Sequence, residues 1–496
     1  MPNRARRPAR PPATDPAREA MTTLPPSERA ARLRETAGHG PVRDLGPLLY
    51  ALNDPVAGIR QTAAIALGIL RDPRGRISLE VALTDPEPGV RAAVAEALGA
   101  IGSPESAPML ERSLADSEPH VRARAAHALA ALGAPGAIPA LAARSSDPAP
   151  EVRQAVAIAL GRIGTDAAIP HLHRLLEDPF DRVRREAVLG LGRSGAPGTI
   201  DTVREFLRDP ARRVRVAAAV VAGRHRDGAS VPLLLERLAA PETWEKPAVL
   251  IALGRIGAVE AVPALLAAAD HPAHWIRVCA LHALGDLAVP EARPVAIAHL
   301  EDPSWSVRGA AAIALGAVGG PDELPALLET LRDEHPWPRR GATYAIGRLN
   351  LTEAAPRVRE ELGDPVAEVR LAAVWTLGRL GDDGAREDLV RLLYESRSSD
   401  AIPPAPVEAD GDAKLLSDAE SRLFDAVVQA LGRLGRGMPD PLIHRALADA
   451  RERLTEEELD RLARLPLPEI EIDRTPPTLR ALFETALPSG VDDEDG

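Results

Sequence analysis

The stretch Asp147-Pro148-Ala149-Pro150-Glu151-Val152-Arg153-Gln154-Ala155-Val156-Ala157-Ile158-Ala159-Leu160-Gly161-Arg162-Ile163-Gly164 decides the fold. Apart from Val156 in an alanine slot, it conforms to Asp-Pro-x-x-x-Val-Arg-x-x-Ala-x-x-Ala-Leu-Gly-x-x-Gly, which returns every 31 residues from Asp54 to Asp364 without a slip. The Asp column is Asp54, Asp85, Asp116, Asp147, Asp178, Asp209, Asp302, Asp333 and Asp364, with Ala240 and His271 in the two remaining slots. Six residues on runs a basic column from Arg60 to Arg370, broken only by Lys246. A fixed period of this length is the signature of a stacked repeat protein, in which each unit buries its apolar face against its neighbours.

Within a unit, Asp-Pro is expected to open a helix, Asp as N-cap and Pro at the first helical position. Apolar residues such as Val152, Val156, Ala159 and Leu160 follow at helical spacing, and Gly161 and Gly164 are expected to end the helix. A second helix, for example Ala168 to Glu177, turns Ile169, Leu172 and Leu175 inward. Its early turn carries a proline column that includes Pro108, Pro139, Pro170 and Pro263.

The predicted organisation has five parts. Residues 1–25 form a basic, Pro/Arg-rich leader expected to be disordered, and Met21 is a candidate true start. Residues 26–395 form the array, headed by a polar cap helix near Ser27 to Thr36. Residues 396–416 read as a flexible insertion, 417–466 as a last repeat and terminal cap, and 467–496 as a Pro-rich acidic tail.

Composition narrows the function classes. The net charge of −12 disfavours nonspecific binding to nucleic acid. No apolar run approaches the ~20 residues of a membrane helix, and no hydrophobic stretch follows the N-terminal arginines as in a secretory signal. The cytoplasm is the expected compartment and a monomer the expected state. Cys279, the single cysteine, reads as core packing and allows no disulfide. No Gly-x-x-x-x-Gly-Lys loop, His-Glu-x-x-His or Cys-x-x-Cys occurs, so neither metal nor cofactor is expected. His171 and His173 point apart on a helix, and His271 and His274 lack a nearby carboxylate to complete a metal site.

The chain holds only 2% aromatic residues, yet its tryptophans cluster on one helix face. Four slots after the Asp column stand Trp244, Trp275 and Trp337, with Trp305 one residue off. Tyr344 and Trp375 lie seven positions further along the same helices, on the same face. These six are the predicted anchors for a protein or peptide; the alternative is that the rings fold back over neighbouring turns as packing. Fifteen residues after the Asp slot runs an arginine stripe, Arg162, Arg193, Arg224, Arg255, Arg348, Arg379 and Arg433. It suits a carboxylate or phosphate ligand, or simply helix C-termini. A corollary is that the acidic tail docks on this stripe.

The repeat resembles HEAT-like repeats of the short, 31-residue type found in phycobilin-lyase-like proteins. The likeness rests on Asp-Pro-x-x-x-Val-Arg, Ala-Leu-Gly-x-x-Gly and segments such as Ala137 to Leu141, over roughly residues 45–450. The resemblance implies an all-α, right-handed α-solenoid of about twelve two-helix units. It also implies that the first helices line the concave side and that the Asp and Arg columns form a ladder between units. The expected function is a non-catalytic scaffold or adaptor. The alternatives are a bilin-lyase-like chromophore-handling protein or a metal-dependent oxidoreductase resembling deoxyhypusine hydroxylase. The latter family carries His-Glu pairs, and this chain contains no His-Glu dipeptide. An alkylpurine glycosylase of HEAT-like fold would want a basic groove that the acidic total disfavours.

Overall fold

In the computed structural model, residues 24–38, 44–241, 244–398, 426, 427 and 430 are described. All of the leader but residues 24 and 25, most of the expected insertion, the last repeat apart from residues 426, 427 and 430, and the tail therefore lie outside the described residues. Helices and short 3₁₀ turns account for all regular structure among the described residues. The chain is an all-α solenoid, and its contacts divide it into two units, Met1–Val221 and Ala222–Gly496.

In the first unit, long helices Ala57–Leu70, Pro88–Ile101, Pro119–Leu132, Pro150–Ile163 and Asp181–Ser194 alternate with short ones such as Arg76–Ala82 and Ile169–Leu175. Each long helix packs directly on the neighbouring long helices and on the short helix that precedes it. In Pro150–Ile163 the residues Val152, Val156, Ala159 and Leu160 have no solvent exposure. Full burial of a Leu or Val side chain stabilises by roughly 1.5–3 kcal/mol, which no single helix achieves alone. Helix Pro26–Gly38 packs on Ala57–Leu70 through buried Leu33 and Ala37.

The sequence expectation for the helix start is corrected by two residues. Asp147 and Pro148 precede the helix, whose N-cap is Ala149 and whose first residue is Pro150. The Asp147 carboxylate accepts from the Ala149 backbone N–H at 3.0 Å, turning the chain into the helix from outside it. The helix end is corrected too. Gly164 terminates the helix at φ +65°, a left-handed conformation that glycine adopts without steric cost. Gly161 does not terminate anything; it lies inside the helix, and a Cβ there would stand 2.5 Å from the Gly190 Cα of the next long helix. The Ala-Leu-Gly glycine is a contact point that lets neighbouring helices approach.

The two polar columns form a ladder. Arg122 donates from Nε and Nη2 to both oxygens of Asp147, at 2.8 and 2.7 Å. Its Nη1 donates to the Asp116 and Ser117 carbonyls of its own unit, at 2.8 and 3.0 Å. The same rung recurs at Arg60–Asp85, Arg91–Asp116, Arg153–Asp178 and Arg184–Asp209. Arg29 of the leading helix supplies the first rung, to Asp54 at 2.5 Å. Burial pushes the Asp147 carboxyl up, but the hydrogen bonds from Arg122 and from the Ala149 N–H outweigh it, and the net direction is down.

In the second unit the long helices are Lys246–Ile256, His274–Leu287, Trp305–Val318, Pro336–Arg348 and Ala367–Leu380. Rungs recur at Arg277–Asp302, Arg308–Asp333 and Arg339–Asp364. Where Ala240 removes the acid, buried Glu245 takes two hydrogen bonds from Arg237, at 2.8 and 2.5 Å. Where His271 replaces it, the ring Nδ1 accepts from the Ala273 N–H at 3.0 Å and so preserves the turn. Helix Arg386–Ser398 runs into the start of the stretch expected as an insertion.

Candidate functional site

The tryptophans enter the second unit at the N-terminal ends of consecutive long helices, because their slots lie beside the turn that each ladder residue makes. Trp244 precedes Lys246–Ile256 and is 66% exposed. Trp275 and Trp305 are half-buried, in the first turns of His274–Leu287 and Trp305–Val318. His274 meets Trp275 edge-on, centroids 5.3 Å apart. Trp305 stacks nearly flat on His335 of the next repeat, at 3.9 Å and 13°. His335 in turn accepts the Trp337 N–H on Nδ1 at 3.3 Å. Burial, followed by the nearby Arg308 and Arg339 charges, holds the His335 imidazole below its ordinary range despite Asp333 and Glu334. The neutral ring is the one that caps.

Trp337 is half-buried. A Cβ on Gly309 would fall 1.9 Å from its Cδ1, so the indole lies directly over that glycine. The Arg340 guanidinium stands 4.4 Å from the ring centroid, a cation–π contact.

The expectation that all six aromatics project toward a partner divides at this point. Tyr344 and Trp375 are 5% and 3% exposed and form a buried cluster with Ile313. Their rings stack at 4.9 Å and 28°. The physical reason is the small residue on the preceding helix: a Cβ on Gly347 would meet Trp375 at 2.7 Å. Arg379 closes over the cluster, 5.5 Å from the Trp375 centroid, while its Nε donates to the Gly347 carbonyl at 2.8 Å. These two aromatics are packed inside; Trp244 is exposed, and Trp275, Trp305 and Trp337 are half-buried.

The arginine stripe divides as well. In the first unit Arg162 and Arg193 are exposed. Arg193 reaches back so that its guanidinium lies 3.3 Å from where a Cβ of Gly161 would be. Between these arginines Glu186 is buried beside Arg185 at 3.0 Å; burial pushes its carboxyl up against the pull of Arg185, Arg193 and Arg162. In the second unit Arg224, Arg255 and Arg348 are exposed. Arg433 and the acidic tail lie outside the described residues.

Beside Arg348 is a shallow recess whose walls include His282, Ile313, Ala314, Ala317 and Tyr344, with room for about one water molecule. It opens because Ala317 occupies the stripe position that holds arginine in most repeats. Cys279 is fully buried and its thiol is pushed up to about 12, which makes it an unreactive core residue. Among the described residues, no group of three or more His, Cys, Asp or Glu is placed to hold a metal.

Comparison with family models matches HEAT repeats over residues 45–120, 110–185, 172–246, 207–278, 231–295, 262–346 and 324–402. The chain belongs to the HEAT-repeat family. Among solved structures, yeast importin-β is similar at 14% identity and a TM-score of 0.54, over 90% of this chain and 70% of that one. E. coli YibA is similar at 22% identity and a TM-score of 0.40, over 53% of this chain and 98% of that one. The CpcE–CpcF phycocyanin lyase of Nostoc is similar at 23% identity and a TM-score of 0.30, over 56% and 95%. Comparison with curated proteins by sequence finds no match.

In this HEAT array, sequence reasoning did not single out His335, Arg340 or Gly309, which set the tryptophan geometry. His335 had one available signal, a histidine two residues after a ladder acid, where its ring reaches the first free N–H of the helix.

Proposed function

We propose that this HEAT-repeat chain is a non-catalytic scaffold that binds a protein or peptide partner on the long-helix face of its second unit. The observation that carries the reading is the exposure of Trp244, joined by the half-buried Trp275 and Trp305 on the two following long helices. At 66% exposure, most of the Trp244 side chain remains in water. Burying a fully exposed aromatic side chain removes roughly 150–250 Å² from water, worth about 4–6 kcal/mol at ~25 cal/mol/Å² before the costs of association; Trp244 offers most of that and the half-buried Trp275 and Trp305 a smaller share. The three rings on successive repeats form a row suited to a hot spot, with Trp244 as its most exposed member. The likeness to importin-β supports the fold alone; the reading rests on the tryptophans. No helix among the described residues is long and apolar enough to cross a membrane.

The test is affinity capture with the full chain and with a Trp244→Ala/Trp275→Ala/Trp305→Ala variant of matched thermal stability. A partner held by the wild type and lost by the variant is the expected result. The same partners on both would sink the reading.

A further inference from the structure

We propose that His271 is a proton-operated joint between the repeats that carry Trp244 and Trp275, braced while its ring is neutral and loosened when the ring gains a second proton. The inference rests on the scaffold reading for its use, because it makes one end of the tryptophan row responsive to pH.

Three joints separate the four repeats that carry Trp244, Trp275, Trp305 and Trp337. Arg277–Asp302 braces the joint between the Trp275 and Trp305 repeats, and Arg308–Asp333 the joint between Trp305 and Trp337. In the first joint the two ladder places are held by Lys246 and His271. Helices Lys246–Ile256 and His274–Leu287 pack on each other and are pinned toward their C-terminal ends, where a Cβ on Gly254 would stand 2.7 Å from the Ala283 Cα. At their N-terminal ends, beside the tryptophans, the brace is the histidine turn.

His271 keeps that turn as a neutral ring. Its Nδ1 accepts the Ala273 N–H at 3.0 Å, which requires a lone pair on that nitrogen. Its backbone carbonyl accepts from Arg277 Nη1 at 3.0 Å, which fixes one positive charge beside the ring. Lys246 of the preceding long helix supplies a second. The neighbouring carboxylates do not offset them: Glu245 is committed to Arg237 and Asp302 to Arg277, while Asp270 and His274 are exposed. A second proton would turn Nδ1 from acceptor to donor against the Ala273 N–H and add a third cation at the positive end of a helix.

Burial, then Lys246, then Arg277 hold the ring below its ordinary range. Because the folded value is the lower one, the brace is present above the unfolded value of about 6.5 and is lost as pH falls through the folded value. Aspartate carboxylates ordinarily keep their charge to about pH 4, so acid reaches this joint before the Arg–Asp rungs. The rings ride on their helices, so the loosening reads in backbone exchange rather than in emission.

The test is hydrogen–deuterium exchange read by mass spectrometry on the full chain at about pH 7 and about pH 5.5, with intrinsic exchange rates divided out. Protection of Lys246–Ile256 and His274–Leu287 is expected to fall at least tenfold at the lower pH. Pro150–Ile163, braced by Arg122–Asp147 and Arg153–Asp178, is expected to hold. His271→Asn can accept the same N–H without titrating, and His271→Asp gives Lys246 a carboxylate; both are expected to remove the pH response. Equal protection of Lys246–Ile256 at the two pH values in the wild type would overturn the inference, and so would a fall that persists in His271→Asn. The wild-type comparison decides the matter even where a variant folds poorly. Exchange needs no partner, so a failed partner capture counts against the scaffold reading and leaves the joint standing.

Discussion

At the scale of single residues, the face of the second unit depends on small neighbours. Gly309 leaves the space in which the Trp337 indole lies, since a Cβ there would fall 1.9 Å from Cδ1. Gly309→Ala is expected to displace the ring, cost about 1–3 kcal/mol, and shift tryptophan emission to the red; unchanged emission and midpoint would contradict the placement. His335 links Trp305 to Trp337 through its stacked, neutral ring. Its pKa is depressed in the folded protein, so the folded state binds fewer protons than the unfolded one as pH falls. The stabilisation is therefore present above the unfolded value of about 6.5 and is lost as pH falls through the lower folded value. Emission from the tryptophans should change over that acid window in the wild type and stay flat in His335→Asn. None of this was legible in the sequence, because which ring covers which glycine depends on contacts between units. The tryptophan column showed where aromatic area would gather; it did not show that Tyr344 and Trp375 would turn inward onto Gly347.

At the scale of the helix pair, the ladder joins one unit to the next with geometry that repeats from rung to rung. Arg122 and Asp147 are both buried and fully hydrogen-bonded. Removing one partner, as in Asp147→Ala, leaves a buried cation and is expected to cost about 3–5 kcal/mol. Breaking the exposed Arg213–Asp181 pair by Asp181→Ala should cost under about 1 kcal/mol. Chemical denaturation of both variants checks the difference, and equal losses would refute the ladder as a stabilising device. The repeat period and the helix pairs were legible in the sequence because each unit writes the same solution again, and the ladder was implied by the resemblance to HEAT-like repeats. The helix start was misplaced by two residues because an Asp-Pro pair looks like a cap whether it stands at the cap or just before it. The role of Gly161 was misread for a related reason: a glycine shows that room is needed and does not say whether the backbone turns or a neighbour approaches.

At the scale of the whole molecule, the ladder makes stability depend on pH in a definite direction. The carboxyls of Asp85, Asp116, Asp147 and Asp333 all sit below their ordinary range: burial alone would raise them, and the arginine and backbone hydrogen bonds outweigh it. Their contribution is present above the unfolded value of about 3.9 and is lost as pH falls through the lower folded values. The melting temperature should therefore drop steeply below about pH 4, and a melting temperature that held level to pH 2.5 would contradict this. Membership in the HEAT-repeat family follows from the array, but the partner does not, since the same architecture carries any face that its long helices display. The central claim is that one such face, the tryptophan row of the second unit, binds a protein. The most direct test is calorimetric titration of the captured partner against two variants. Trp244→Ala/Trp275→Ala/Trp305→Ala removes the row, and Ile77→Ser/Val81→Ser/Met109→Ser removes exposed apolar side chains from the short helices of the first unit. The account expects the first variant to weaken binding at least a hundredfold and the second to leave it unchanged. The reverse pattern would place the binding surface elsewhere and contradict the account.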